Sequence, residues 1–524
     1  MSFNLLQEPW IPVVKDNWEY QELSLLDFFR TWQNLREIQA DNPPTTLAIY
    51  RLLLAIMHSA YEGPKNIDDW EKIQLDDGKK AIEYLEKWRD RFDIFHPEYP
   101  FMQDLALTED KAVPIFALHT MSTSTVFSHE HEFSGYTISL PEAARLLVRL
   151  QSVDITSLRA FYPKQTSGNR SAVNTPTINN ANVLIVGRNL KSTLMLNLMQ
   201  YNLGIDKPAA LMPGTKDLPS WEVSYAGKPT ISIPNAYISY LTYPWRRLNL
   251  FRRGDLVDRI AITMGNSLPN DLPFKQWECG LAFKDDKPIR ISPKRQLWRN
   301  AHSFIRSADT ESCPQIVEWV AKLAAEEGLV DKLINLQIFG MCADKAKPLA
   351  WSVDRFAVPT IYIQDKKLSQ RLKDAVDFAE EHRQIFRYGG DSPYNALAKI
   401  FNPNASAKKL LEESEKLMKS LDGESRYWST LDPIFLKLLE ELPKNKEEIE
   451  DKLLAWKKVV QRAASNAFTD SIESIRNYEA RAKALQSLGW KLADLRLTPV
   501  EREERKAKAK AKKAKNMQKE KVST

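Results

Sequence analysis

Apolar positions in the first two thirds of the chain follow two different periods. In "TTLAIYRLLLAIMHSAYEG" they recur every three or four residues until Gly63 and Pro64, which predicts a helix. In "SLPEAARLLVRLQSVD" the same spacing follows Ser139 and Glu142, the pattern of a capping box at a helix start. The segments "NVLIVG", "KPTISIP" and "NAYISYLTY" are instead rich in β-branched and aromatic residues and predict strands. Residues 1–362 are therefore predicted to form a mixed, loop-rich α/β domain.

Beyond Pro359 the apolar spacing is helical almost throughout. It predicts four or so amphipathic helices joined by short turns, with Pro433 in the first turn of one of them. Such helices pack as an antiparallel bundle. The predicted fold class is thus α+β, with a four-helix bundle over residues 363–498 and a basic tail over 499–524 after the mixed domain. The apolar positions that define the helices include Leu368, Leu372, Ala375, Trp428, Leu431, Phe435, Leu453, Trp456 and Val460.

The net charge of +6 is concentrated in the tail. The chain has 74 Lys and Arg against 68 Asp and Glu, and residues 501–524 hold ten of the basic and four of the acidic residues. The remainder is formally neutral, which argues against a globally basic nucleic-acid binder and leaves local patches and the tail for such contacts. The tail has few apolar residues and is predicted to be disordered alone. We expect it to add DNA or RNA affinity with a steep salt dependence.

Length and composition narrow the class of protein further. A chain of 524 residues exceeds the size of a single core, so two or more domains are expected. No apolar run reaches the roughly 18 residues of a membrane span, and the N-terminus lacks the regions of a secretory signal. The cysteines Cys279, Cys313 and Cys342 have no metal-type spacing. We therefore expect a cytoplasmic protein with no cofactor and no membrane contact.

The segment "FSHEHEF" is the strongest candidate for a metal motif, through His129, Glu130 and His131. A spacing of one residue puts both histidines on one face only in a strand, and the seven His of the chain provide no second cluster. A metal-dependent nuclease and a solvated loop both fit this pattern. The chain has no Walker loop, nucleophile elbow or dinucleotide fingerprint, so it is predicted not to be an enzyme.

Two segments suit contacts with nucleic acid. In "TSGNRSAVN", small residues around Gly168 and Asn169 permit close approach, and Arg170 offers a hydrogen-bond donor. In "LTYPWRRLNLFRRGD", arginines beside aromatic residues suit a phosphate backbone and stacked bases. An ordinary mobile loop and a strand with a solvated face are the respective alternatives. The possible backbone contacts of the second segment are Arg246, Arg247, Arg252 and Arg253.

The segment "FGMCADKAKPLAW" combines an apolar run with a charged turn. The run is predicted to end at Gly340, and an extended turn would then point Lys345 and Lys347 the same way, with a small alanine between them. Such a turn can push charged side chains into another molecule, whereas the alternative is a solvated turn. Pro348 and Trp351 are predicted to stiffen it.

These segments belong to a longer series in a fixed order. "NLLQEPWIPV", "FHPEYPFMQ", "VFSHEHEF", "NLKSTLMLNL", "LTYPWRRLNL", "IFGMCADKAKPLAW" and "RYWSTLDPIFLKLLEEL" together resemble the CasA family, the large subunit of the type I-E CRISPR surveillance complex Cascade. Only the basic tail falls outside the resemblance. The resemblance implies a non-catalytic subunit with a mixed domain and a four-helix bundle. The partners it implies are the 5′ handle of a guide RNA, double-stranded target DNA, the other Cascade subunits and a helicase-nuclease that acts in antiviral defence.

The resemblance also implies roles for individual residues. The loop that docks on the RNA handle and a neighbouring subunit corresponds to Phe127, Ser128, His129, Glu130 and His131. A glycine-rich loop that approaches the minor groove of the short protospacer-adjacent motif (PAM) corresponds to Gly168, Asn169 and Arg170. A lysine finger corresponds to Lys284 or Lys287, between which the alignment does not choose. A wedge that parts the duplex and promotes R-loop formation corresponds to Asp344, Lys345, Ala346 and Lys347, whose lysines are predicted to grip phosphates. A divergent complex, transposon-associated or nuclease-fused, is the alternative.

Overall fold

The computed structural model describes residues 2–119, 135–167, 170–200, 215–223, 227–270, 277–284, 287–292, 295–305, 313–326, 328–443, 446–497 and 501. The chain divides into two compact units, residues 1–369 and 370–524. The first unit contains all the described strands, and the second is helical. The sequence pattern predicted a boundary after residue 362.

Fourteen strands are described, each antiparallel to its partners in its sheet. They are β1 Ile11–Lys15, β2 Tyr20–Leu23, β3 Leu35–Ile38, β4 Val113–Pro114, β5 Ile138–Ser139, β6 Ser157–Leu158, β7 Ser171–Ala172, β8 Asn182–Val186, β9 Arg246–Arg253, β10 Leu256–Met264, β11 Phe283–Lys284, β12 Lys287–Pro288, β13 Leu333–Asp344 and β14 Lys347–Pro359.

The described helices are distributed over both units. Those that begin in the first unit are α1 Leu25–Thr31, α2 Pro43–Tyr61, α3 Ile67–Asp76, α4 Lys79–Lys87, α5 Phe116–His119, α6 Leu140–Ser152, α7 Leu190–Asn197, α8 Tyr237–Leu241, α9 Ala301–Phe304, α10 Gln315–Leu323, α11 Ile361–Gln364 and α12 Lys366–His382. The second unit continues α12 and adds α13 Pro393–Phe401, α14 Ala407–Leu421, α15 Gly423–Glu441, α16 Ile449–Ser471 and α17 Tyr478–Leu495.

Several small sheets, rather than one large sheet, organise the first unit. Three strands in the order β2-β1-β3 form one sheet, and β10 pairs with β4, β5 and β9 in another. A third sheet has the order β14-β13-β8, so the long β13–β14 hairpin contributes two of its strands and β14 lies at its edge. The pairs β6–β7 and β11–β12 are short two-stranded ribbons.

Helix predictions based on local signals are confirmed. Helix α2 covers the predicted segment and is capped by Asn42, whose side chain accepts from the amide of Thr45. Helix α6 begins with the predicted capping box, in which Ser139 and Glu142 satisfy each other's backbone amides. The strand prediction for "NVLIVG" is confirmed as β8.

Two of the strand predictions are wrong. The segment "NAYISYLTY" forms the short helix α8, whose tyrosines at 237 and 240 are buried. The segment "KPTISIP" makes only an isolated bridge between Ile231 and Ser267. In the first segment the aromatic residues are buried on a helix, whereas Ile231 of the second is 74% exposed, so neither composition produced a regular ladder. β propensity depends strongly on context.

The second unit confirms the helical C-terminal region and with it the α+β class. Its described part contains six α-helices, more than the four predicted, because α13 and α14 add to the long α12, α15, α16 and α17. Buried aromatic groups join the long helices: the indole of Trp456 donates to the carbonyl of Ala375 (2.8 Å), and the hydroxyl of Tyr427 donates to that of Ala379 (2.8 Å). Pro433 was predicted to lie in the first turn of a helix. It lies inside α15 instead, because that helix begins at Gly423.

The stretch "FHPEYPFMQ" has a structural role in the first unit. The amide side chain of Gln103 donates to the carbonyl of Ile94 (2.6 Å) and accepts from the amide of Leu250 on β9 (2.8 Å). Phe101 stacks on Phe92 with ring centroids 5.1 Å apart. The stretch therefore ties the N-terminal part of the unit to the β9–β10 sheet.

None of the helices in the described ranges is long and apolar enough to cross a membrane.

Candidate nucleic-acid interface

The predicted charged turn is the tip of the longest hairpin in the described structure. Strand β13 continues through Gly340 to Asp344, so the prediction that the apolar segment ends at the glycine is wrong. A Cβ atom on Gly340 would lie 2.2 Å from the Cδ1 atom of Ile291. The glycine therefore permits close packing inside the sheet and does not mark the end of the strand.

The tip places its charged side chains in solvent. Asp344 pairs with Lys347 across the hairpin, and Lys345 and Ala346 form the two-residue turn. All four residues are exposed. Lys345 has a φ of +53°, in the left-handed region that disfavours residues with a Cβ. The structure thus brings the predicted wedge residues together, although as a tight hairpin turn and not as the extended turn that was predicted.

Pro348 and Trp351 do not lie in the turn. Both belong to β14, and Trp351 is 44% exposed opposite the buried Met341. Proline is tolerated there because β14 is an edge strand. The prediction that Trp351 stiffens the turn by packing within it is therefore wrong.

Asn179 holds the end of the hairpin in place. Its backbone amide donates to the carbonyl of Met341 (2.8 Å), and its side-chain Oδ1 accepts from the amide of Ala343 (2.7 Å). Its carbonyl accepts from the amide of Ile291 (3.2 Å). One residue thus joins the tip of β13 to the segment that follows the β11–β12 ribbon.

The two candidate finger lysines share that ribbon. Lys284 and Lys287 are direct cross-strand partners, and both are exposed. Side chains of directly opposed residues lie on the same face of a ribbon. The amide of Ala181 donates to the carbonyl of Ile289 (2.9 Å), which fixes the ribbon to the chain segment that contains Asn179. The geometry gives both lysines equivalent positions and does not choose between them.

Arg170 lies beside a third ribbon. Strand β6 pairs with β7, and the amide of Arg159 donates to the carbonyl of Arg170 (3.1 Å) just beyond the pair. Arg170 is exposed, with its guanidinium 5.3 Å from the ring centroid of Phe161. Gly168 and Asn169 lie outside the described residues. From β7 the chain continues directly through Asn179 into β8, so one continuous segment links the β6–β7 ribbon, the β11–β12 ribbon and the β13–β14 hairpin.

Arg246 is buried and is not a nucleic-acid contact, which corrects the sequence prediction. Its Nε atom donates to Oδ2 of Asp154 (2.6 Å), and its side chain is 1% exposed. One of its terminal nitrogens also donates to the carbonyls of Ile155 (3.2 Å) and Val173 (2.8 Å). These two carbonyls lie on either side of the β6–β7 ribbon. Arg246 therefore closes the base of the segment that ends in Arg170.

Asp154 is the centre of this buried cluster. Burial alone would raise the pKa of its carboxyl group, but Arg246 and Arg159 outweigh that cost and hold the pKa below its usual value. The bond from Arg159 is 2.9 Å long. A lowered folded-state pKa contributes stability above the unfolded-state value, about 3.9. This contribution is lost as the pH falls through the still lower folded-state pKa.

The other three arginines of that segment differ in accessibility. Arg247 is buried, with its Nε atom 4.0 Å from the carboxylate of Asp104, which also corrects its predicted role as a backbone contact. Arg252 is partly exposed and lies 5.0 Å from the ring centroid of Phe95. Arg253 is exposed at the end of β9 and pairs with Asp258 (2.8 Å). Arg252 and Arg253 stay predictions as contacts.

The loop with Phe127, Ser128, His129, Glu130 and His131 lies outside the described residues, as does all of the basic tail except residue 501. Within the described ranges, no group of three or more His, Cys, Asp or Glu is placed to hold a metal ion.

Asn179 and Asp154 were missed by sequence reasoning. Their partners lie far away in the chain: Ala343 is 164 residues from Asn179, and Arg246 is 92 residues from Asp154. A usable signal was the run of asparagines just before the buried strand "NVLIVG". Asparagine tolerates positive φ and bonds to nearby backbone, and Asn179 has a φ of +65°.

We expect Asn179→Gly to loosen the hairpin tip. Glycine tolerates the positive φ, so the change removes mainly the side-chain hydrogen bond to Ala343 and costs about 1 kcal/mol of stability. Hydrogen exchange of the amides at 341–344 should become faster while that of β8 is unchanged. Asn179→Asp keeps an acceptor and is the control. Equal protection of the tip in Asn179→Gly and the wild type would contradict this role.

Comparison with known proteins identifies the family. The model of the family described as CRISPR-associated protein Cse1 matches residues 4–467. The chain belongs to this family. The resemblance to CasA, the large subunit of the type I-E surveillance complex, is therefore confirmed.

Individual relatives agree over nearly the full length. The CRISPR-associated protein CasA/Cse1 of Thermus thermophilus is 27% identical over 512 residues, which cover 94% of this chain and 98% of that protein. A crystal structure of Thermus thermophilus CasA matches with a TM-score of 0.77 at 24% identity, covering 94% of this chain and all of that one. The crystal structure of Thermobifida fusca Cse1 matches with a TM-score of 0.75 at 23% identity, covering 94% and 97%. These two structures support the fold.

Proposed function

We propose that this protein is the non-catalytic large subunit of an RNA-guided type I-E CRISPR complex, in which it recognises the PAM and starts strand separation. Family membership supports the assignment to a surveillance complex. A chain of a "CRISPR RNA-guided surveillance complex" also has this fold, with a TM-score of 0.74 at 18% identity. The guide RNA, the other Cascade subunits, the target DNA and the helicase-nuclease are the proposed partners.

The observation on which the proposal depends most is the junction at Asn179. Three exposed residues that are candidate DNA contacts, Arg170, Lys284 and Lys345, are far apart in sequence, yet the strands beside them all connect to the segment between β7 and β8. Arg170 lies at one end of that segment, and the hairpins of Lys284 and Lys345 bond to the other. A hydrogen-bonded connection of this kind suits simultaneous contact with one short element of duplex DNA, because contacts made together must keep a fixed mutual geometry.

The chemistry of the tips fits duplex recognition followed by opening. Arginine and lysine donate to phosphates and to base edges, and small residues permit close approach to the narrow minor groove. Parting one base step costs a few kcal/mol, which contacts of an inserted element offset. The protein then reads the short PAM, and pairing with the guide reads the remaining sequence.

A binding assay with a library of PAM sequences tests the proposal. The complex is reconstituted with and without this chain, and bound targets are sequenced. We expect PAM-dependent enrichment only when the chain is present. Equal, PAM-independent binding in both preparations would overturn the proposal.

A further inference from the structure

Strand β14 has an exposed apolar stripe that its sheet does not explain. Leu349 is 59% exposed, Trp351 44% and Val353 36%. Beyond the bulge at Leu349, strand alternation puts Trp351 and Val353 on the same face. Large apolar side chains grouped in this way mark an interaction surface more often than isolated ones do. We call these three residues the β14 stripe.

The charges around the stripe indicate the chemistry of its partner. Lys345 and Lys347 stand at the end nearest the tip, and Arg355 continues the face of Val353 at the other end. Arg355 is held by Glu37 (2.5 Å) and by Gln337 (2.8 Å). Asp344, at the tip, is the exposed carboxylate next to the lysines. A row of apolar and aromatic groups that starts at two lysines complements an anionic chain with flat apolar faces.

We propose that the β14 stripe stacks unpaired bases of single-stranded DNA, with Trp351 as the principal platform. This inference rests on the proposed function, because parting the duplex at the tip supplies the unpaired bases. Trp351 and Val353 are alternate residues of the strand and lie about 6.6 Å apart, and Leu349 precedes them at the bulge. Stacked bases of one strand are spaced about 3.4 Å, so the stripe has room for a few of them. Stacking on aromatic groups tolerates any sequence, as a site that accepts every target requires.

Binding of the purified full chain to a fluorescent oligothymidine tests the stripe directly. We expect Trp351→Ala to weaken binding about tenfold, the scale of one lost base–aromatic stack, without changing its salt dependence. Lys347→Ala should instead reduce the log–log salt slope by about 0.7, since it removes a phosphate contact to a single strand. Trp351→Phe should restore most of the affinity. Trp490→Ala is the matched control, because Trp490 is 61% exposed on α17 in the other unit.

A second measurement separates this inference from the proposed function. The reconstituted complex is tested for PAM-dependent capture of duplex DNA, and 2-aminopurine next to the PAM reports stacking by its fluorescence. We expect Trp351→Ala to keep PAM-dependent capture and to lose the quenching. Capture without any difference in quenching or oligothymidine affinity would overturn the stripe and leave the proposed function standing. Normal oligothymidine affinity with failed assembly of the complex would also overturn it, because the stripe would then be a protein contact.

Discussion

Arg246→Ala is expected to destabilise the first unit by about 3–5 kcal/mol, the usual cost of leaving one partner of a buried ion pair alone. Asp154 would keep the hydrogen bond from Arg159 but lose the one from Arg246, and the carbonyls of Ile155 and Val173 would lose their donor. Denaturant unfolding followed by tryptophan fluorescence measures the effect. The dependence of the unfolding free energy on acid pH should change as well, because less positive charge would then be present to lower the pKa of Asp154.

The same strand offers the control. Arg253 also pairs with an aspartate on the neighbouring strand, but its side chain is 74% exposed. An exposed pair contributes at most about 1 kcal/mol, so Arg253→Ala should unfold close to the wild type. Arg246→Lys keeps the charge, but its ammonium group cannot reach all of the acceptors. Its free energy of unfolding should therefore lie between those of Arg246→Ala and Arg253→Ala. Similar unfolding curves for Arg246→Ala and Arg253→Ala would show that the buried cluster does not hold the unit together.

Burial decides which arginines are structural, and sequence spacing does not reveal it. Arg246 and Arg253 have the same side chain on one strand, beside similar apolar residues. The difference arises because Asp154 reaches Arg246 from a position 92 residues away. Elements fixed by neighbouring residues were predictable: the capping box of α6 needs only Ser139 and Glu142, which are three residues apart. The α+β class and the helical C-terminal region follow from such local patterns.

The candidate interface was predictable in its residues but not in its geometry. The resemblance singled out the turn at Lys345 and the lysines at 284 and 287. Their connection through Asn179 depends on hydrogen bonds between segments more than a hundred residues apart. The role of Gly340 could not be predicted from the sequence for the same reason. A Cβ atom at this position would collide with Ile291, which is remote in the sequence. Sequence patterns report what each segment prefers, whereas such contacts depend on which segments meet.

The double change Lys345→Gly and Lys347→Gln is expected to slow R-loop formation on an unsupercoiled target about a hundredfold. A hydrogen bond to a charged group contributes about 1.5 kcal/mol, and two such bonds to phosphates of the parting strands would be lost. Glycine is the better replacement at 345, because alanine at a φ of +53° would keep about 1 kcal/mol of backbone strain. With glycine, the measured effect reports the lost charge and not a change in the stability of the turn. Stopped-flow or gel measurements with the reconstituted complex give the rate, and its log–log salt slope should fall by about 1.8.

The expected decrease in the rate of R-loop formation comes from the loss of two lysines at the tip and not from the lower net charge of the protein. Lys408→Gln with Lys409→Gln removes the same charge from exposed positions on α14, outside the hairpin tip, and should leave the rate within about twofold. Negative supercoiling favours strand separation, so it should narrow the gap between the tip variant and the wild type. A tip variant that opens a relaxed target as fast as the α14 variant would exclude phosphate contacts by these lysines. A gap unaffected by supercoiling would place the defect in PAM binding, before the strands part.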